Sequence, residues 1–141
     1  MKRKTKILLT AIAVILLIAV AYLVKEYDRK PADVADIIAA EKTTAFNLLK
    51  AFEDSEPIAN KKYAGNIIEV TGTISSIYNE ADTIVNVLLE TGDPLHTINC
   101  ALATKEISGI KKYKPGQSIT IKGHCTGFLL DVELNRCVIT N

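Results

Sequence analysis

Tryptophan is absent from this 141-residue chain, aromatic residues make up only 6%, and there are three cysteines, two histidines and one methionine. The scarcity narrows the chemistry available. Cys100, Cys125 and Cys137 contain no CxxC pair, and His124 beside Cys125 would point to the opposite face of a strand, so the spacing argues against a zinc site. His96 and His124 have no serine, cysteine or carboxylate partner at a spacing that would build a triad, and nothing else suggests an enzyme. No cofactor motif is present. No cysteine precedes Cys100, which rules out standard lipoprotein attachment near the N-terminus.

Charge of one sign is also missing, but only in total. The formal net charge is +1; residues 1–30 carry seven Lys/Arg against two Asp/Glu, and residues 31–141 carry ten against 14. From Lys61 onward the count is eight of each, so that region lacks the positive footprint that phosphate backbones demand.

What the chain has in quantity is hydrophobic residues, 48%. Residues 7–24 form an uncharged run of 18, preceded by Lys2, Arg3, Lys4 and Lys6 and followed by Lys25, Arg29 and Lys30. As a helix it would rise about 27 Å, near the hydrocarbon thickness of a bilayer. Residues 1–30 are therefore expected to be a membrane anchor or signal segment. Ala19-Val20-Ala21 fits a cleavage site after Ala21, yet Tyr22-Leu23-Val24 prolongs the apolar run as an uncleaved anchor would. With cations on both sides, orientation is the weaker inference; the favoured one puts the short tail inside and the remainder outside a single-pass inner-membrane span.

Val34, Ile37, Ile38, Ala45, Leu48, Leu49 and Phe52 recur at helical spacing, so residues 31–60 are expected to form one amphipathic linking helix. Pro31 and Asp33 suit its start, and Ser55 with Pro57 its stop.

Residues 61–141 read as a small β domain. Strands are expected over 66–78, 83–90, 95–103, 118–125 and 129–139, with Gly72 allowing a bend in the first and a short helix over 104–113 between the third and fourth. The alternation puts Ile68, Val70, Ile74, Val85, Val87, Leu89, Ile119, Ile121, Val132 and Leu134 inward. The order β-β-β-α-β-β is that of a five-stranded OB barrel. The fold class is thus all-β with a helical N-terminus: an OB barrel behind a transmembrane and an amphipathic helix.

Three features of the residues also resemble a known family. They are Lys62-Tyr63 leading through Gly65 to Glu69-Val70-Thr71-Gly72; Lys114-Pro115-Gly116 leading through Gly123-His124-Cys125 to Leu130-Asp131-Val132; and a closing Leu134-Asn135-Arg136-Cys137-Val138. Over residues 51–139 the chain resembles the tRNA_anti-like family of bacterial OB-fold lipoproteins, whose activity is unknown. The resemblance implies an OB fold on an exported or membrane-attached protein, and this chain departs from lipoprotein members in lacking a lipidation cysteine.

Cys125 and Cys137 fall on the last two expected strands, and in an oxidising compartment a disulfide between them is expected to stabilise the domain by about 3 kcal/mol. Cys100 would remain as a buried thiol. Phe128 and Leu129, in the turn before the last strand, with Asp131 and Glu133 beyond it, are the candidate binding surface. Asp131 and Glu133 share a strand face, which a solvent-facing edge would also show. Lys105, Lys111, Lys112 and Lys114 form the one basic cluster, read as a solvated face. The expected strands two and three carry no Phe, Tyr or Trp, so the stacking platforms of single-strand binders are missing. The expectation is a non-enzymatic domain that binds an envelope protein or glycan and is held to the membrane by its N-terminal helix. A nucleic-acid-binding OB module is the alternative.

Overall fold

The computed structural model describes residues 2–27, 33–81 and 83–140, and within these the side chains at 2–6, 8–10, 80 and 81 are left undescribed. Pro31, invoked above for a helix start, lies outside the described residues. The chain divides into two units, residues 1–32 and 33–141.

The first unit is helix α1, Lys2–Tyr27, of 26 residues. Its described apolar side chains are exposed, among them Ile12, Leu16, Leu17 and Leu23. Positions 8–10 of the expected span lie outside the described side chains. Among the described residues no helix is long and apolar enough to cross a membrane.

In the second unit, the single helix expected over 31–60 is replaced by four short elements. A 3-10 turn, Val34–Asp36, is capped by Asp33, whose carboxylate accepts from the Ala35 N–H at 3.0 Å. Strand β1, Glu41–Thr44, pairs in parallel with the start of β2, Glu41 opposite Ile68 and Thr44 opposite Thr71. Helix α2, Ala45–Asp54, begins where the Thr44 hydroxyl accepts from the Asn47 N–H at 3.2 Å. Helix α3, Glu56–Tyr63, follows with Pro57 in its first turn, where no backbone donor is needed. The helical spacing is real only within α2, where Leu48, Leu49 and Phe52 are buried; Ile38, counted on the same stripe, is 90% exposed.

Five further strands form the barrel: β2 (Ile67–Ala81), β3 (Ile84–Leu89), β4 (Ile98–Leu102), β5 (Ser118–Phe128) and β6 (Val132–Ile139). The sheet order is β1-β2-β3-β4-β6-β5, and pairing of β5 back onto β2 closes it. The first half of β2 pairs with β5 and the second half with β3, so one long strand serves both sheets. Between β4 and β6 the pairing is parallel, with the 3-10 turn Thr104–Glu106 and helix α4 (Ile107–Ile110) in the crossover. This is the expected OB connectivity. All ten residues expected to face inward are buried.

The irregularities expected at Gly72 fall instead at register shifts between Ile74 and Ser76 and between Asn79 and Ala81, and Gly72 itself stays in regular pairing with Ile119. Glycine is needed at 72 for a different reason. A Cβ there would sit 3.0 Å from the Ala45 Cβ and 3.2 Å from the Leu89 Cβ, so the absent side chain is what lets the start of α2 lie against the strand.

Helices α2 and α3 cover one end of the barrel. Phe52 packs against Tyr63 and Phe128 with ring centroids 6.1 and 5.9 Å apart. On the outer face of β5, the buried Lys122 ammonium donates to the Ala35 and Ile37 carbonyls at 2.8 and 2.9 Å, satisfying the charge and fixing the 3-10 turn against the sheet. Asp33 pairs with Lys105, whose ammonium, followed by the Ala35 N–H, holds the Asp33 carboxyl below the usual carboxylate range.

The expected Cys125–Cys137 disulfide is not formed: all three cysteines are free and buried in the barrel. Cys125 lies opposite Leu134, three residues short of Cys137 along β6. The register shift between Lys122 and His124 leaves Cys137 beside Gly123 and not beside Cys125, so the two thiols are not a directly opposed cross-strand pair.

Candidate functional site

Two loops meet at the end of the barrel that α2 and α3 cover: residues 90–97, between β3 and β4, and residues 129–131, between β5 and β6. The first is shaped by its own polar residues. Thr91, 2% exposed, donates its hydroxyl to the His96 carbonyl at 2.5 Å and accepts from the Asp93 N–H at 3.3 Å. The Asp93 carboxylate accepts from the Leu95 and His96 N–H groups at 2.6 and 3.1 Å. This Asx-type bonding directs residue 95 outward.

The second loop is clamped to the first. Asp131 accepts from the Thr97 N–H at 2.5 Å and from its hydroxyl at 3.0 Å. His96 Nδ1 lies 2.6 Å from the Leu130 carbonyl oxygen, which can only accept, so Nδ1 carries the proton. The His96 and Phe128 rings also form a T-shaped pair, centroids 5.5 Å apart and planes at 73°.

On this rigid frame stand Leu95, Leu129 and Leu130, exposed by 81, 86 and 80%. One exposed leucine is ordinary; three on two loops bonded to each other make an apolar tip of the kind that marks an interaction site. A groove of about 310 Å³ between α2 and the first loop lies at the same end, lined by Phe46, Lys50, Glu53, Gly92 and Asp93.

The residues singled out from sequence are distributed as follows. Leu129 is on the tip. Phe128 is half-buried, packed on Phe52 and His96, and supports the tip from below. Asp131 caps Thr97, just before β4, and Glu133 accepts from the side-chain amide of Asn99 on β4 at 3.3 and 3.2 Å, so each acid is occupied by a neighbour. Leu95 and His96 were not legible as site residues, since nothing in their local sequence says that residues 90–97 fold against residues 129–131.

The outer face of β3 and β4 carries Asn86, Leu88, Asn99 and Ala101, with no lysine, arginine or aromatic ring. Asn99 Oδ1 is buried there without a hydrogen-bond partner. The four lysines of the basic cluster stand at the opposite end of β4, around α4. Lys105 is paired with Asp33, and Lys112 lies 5.2 Å from the Tyr113 ring centroid.

Burial raises the Cys125 thiol above its ordinary pKa and raises Cys137 well above it, with Cys100 as the hydrogen-bonding neighbour of Cys137. Thiolates are the reactive form. An impermeant maleimide is therefore expected to leave the folded protein unmodified and to label three cysteines per chain after denaturation; rapid labelling of the folded chain would contradict this packing. Among the described residues no group of three His, Cys, Asp or Glu could hold a metal ion.

None of the curated proteins matches this chain. Among solved structures it is similar to a protein of Klebsiella pneumoniae provisionally described as a nucleic acid-binding lipoprotein, at 18% identity and TM-score 0.55, covering 79% of this chain and all of that one. It is also similar to the asparaginyl-tRNA synthetase of Entamoeba histolytica, at 16% identity and TM-score 0.42 over 55% of this chain and 21% of that one. A replication factor A related protein of Methanobacterium thermoautotrophicum shows 19% identity and TM-score 0.40, over 55% and 84%. At 18% identity the likeness to the Klebsiella pneumoniae protein is one of fold. Residues 1–139 match the tRNA_anti-like family, and the chain belongs to it.

Proposed function

We propose that this is a non-enzymatic binding protein of the cell envelope, held to the inner membrane by its N-terminal segment, with the leucine tip as its docking surface for protein. The observation that carries the reading is the tip itself: three leucines, each at least 80% exposed, on loops made rigid by a network of side-chain bonds. Such pre-organisation lowers the ordering cost of association, and the apolar area supplies affinity. A charged, flexible tip would support neither. The uncharged run at residues 7–24 and its cationic flanks support the tether.

A nucleic-acid module is the second reading, favoured by the description of the Klebsiella pneumoniae protein and by the lysines around α4. Strands β3 and β4 carry no ring or cation on this face, where Tyr78 of β2 stands beside Asn86, and that scarcity sets this reading below the first.

A photo-crosslinking residue placed at 95 in the full chain tests the docking surface. Irradiation in cells is expected to give discrete protein adducts that disappear when Leu130→Asp is added. Adducts that form equally with and without Leu130→Asp, or none, would remove the tip from the account. Salt-sensitive binding of oligonucleotides by the purified chain would replace the first reading with the second.

A further inference from the structure

We propose that the groove between α2 and the loop at 90–97 takes the arginine side chain of a partner protein. The inference goes beyond the leucine tip and uses none of its residues. One wall follows from helical spacing: Phe46, Leu49, Lys50 and Glu53 stand at i, i+3, i+4 and i+7 on α2, so a single stripe carries a ring, an aliphatic floor, a cation and an acid. Thr91, Gly92 and Asp93 form the facing wall across about 310 Å³. The walls meet where φ of Gly92 is +84° and a Cβ would lie 3.6 Å from Phe46 Cδ2, so the ring rests against the loop backbone. Phe46 nevertheless keeps 58% exposure, while Leu49 is buried.

The charges of the two walls do not cancel. Residues 45–54 and 89–97 hold one cation, Lys50, against four acids, Glu53, Asp54, Glu90 and Asp93. Lys50 is taken up by Asp54 at 3.0 Å, and Lys42, on the strand that leads into α2, is paired with Glu69 at 3.0 Å. Asp93 accepts from the Leu95 and His96 N–H groups through Oδ1 alone, which leaves Oδ2 able to accept. Glu53 has no ion-pair or hydrogen-bond partner among the described residues. A carboxylate on each wall and a half-open ring match a guanidinium, a planar cation that donates to carboxylates in its plane and lays a weakly hydrated face on an aromatic ring. An anion would be repelled, and a neutral ligand would leave the acids uncompensated. Phe46, Lys50 and Glu53 are all exposed, so the groove opens on the surface and suits a side chain projected by a second protein.

The test titrates the isotope-labelled full chain, in non-ionic detergent, with N-acetyl-arginine amide and with its uncharged isostere N-acetyl-citrulline amide, following the Gly92 and Asp93 amides by NMR. Saturable shifts at both positions are expected with the arginine probe, and a dissociation constant about tenfold higher with the citrulline probe. Glu53→Gln is expected to weaken arginine binding about fivefold and Phe46→Ala about threefold, and both positions are exposed enough for the fold to be kept. Shifts that do not saturate, equal constants for the two probes, or a Glu53→Gln chain that binds as tightly as the native one overturn the proposal. N-acetyl-lysine amide binding as tightly as the arginine probe, with Phe46→Ala without effect, overturns the assignment to a guanidinium. No partner protein is present in this titration, so its result is read separately from the crosslinks at the leucine tip.

Discussion

Replacing Phe52 by alanine is expected to lower the unfolding free energy by about 3–5 kcal/mol, the range for emptying a large aromatic site in a packed core. The ring is fully buried and touches Tyr63 of α3 and Phe128 at the end of β5, so it joins both covering helices to the barrel and supports the strand that leads to the tip. Denaturant unfolding of the full chain in detergent, followed by circular dichroism, gives the measurement. Phe46→Ala, six residues earlier on α2 but 58% exposed, serves as the control and should move stability by about 0.5 kcal/mol at most. Equal losses from the two would mean that α2 and α3 are not part of the core.

Gly123→Ala is the second large effect. A Cβ at this position would lie 2.5 Å from Cys137 Sγ and 3.2 Å from the Leu134 Cβ, inside a barrel whose walls are mutually hydrogen-bonded and cannot part. Overpacking of this kind costs about 1–3 kcal/mol. Most of the conflict is with a single sulfur atom, so Cys137→Ala in the same chain should restore part of the loss, and a double-mutant cycle should show coupling between the two sites. Strictly additive losses would show that the sulfur is not the obstacle. The contact also gives a physical reason for the Gly123 and Cys137 pattern: the glycine makes room for the thiol.

The barrel was readable because alternation is a local signal. Each of Ile68, Val70, Val85, Val87, Ile119 and Ile121 could be placed from its immediate neighbours, and each is buried. Residues 31–60 were misread because their strand is stabilised from a distance. Thr43 and Thr44 pair with Val70 and Thr71, and no periodicity within the segment records a partner 27 positions away. The cysteines failed for a related reason. Neighbouring strands suggest a pair, but register decides it, and the hairpin register together with the irregularity between Cys125 and Gly127 puts Cys125 opposite Leu134. The tip was half legible. Leu129 could be seen as a turn residue with no core to join, whereas Leu95 reaches the same place only through the His96 and Thr97 bonds to residues 130 and 131.

The central claim, a tethered domain that presents this tip outside the cytoplasm, is tested most directly by Leu129→Cys in the full chain. The substitution puts one accessible thiol on the tip of a protein whose other thiols are buried. With an impermeant maleimide, spheroplasts are expected to show labelling at position 129 without permeabilisation of the inner membrane, on a chain that sediments with the membrane fraction. Labelling only after the inner membrane is opened, or a labelled chain that stays in the soluble fraction, would contradict the account.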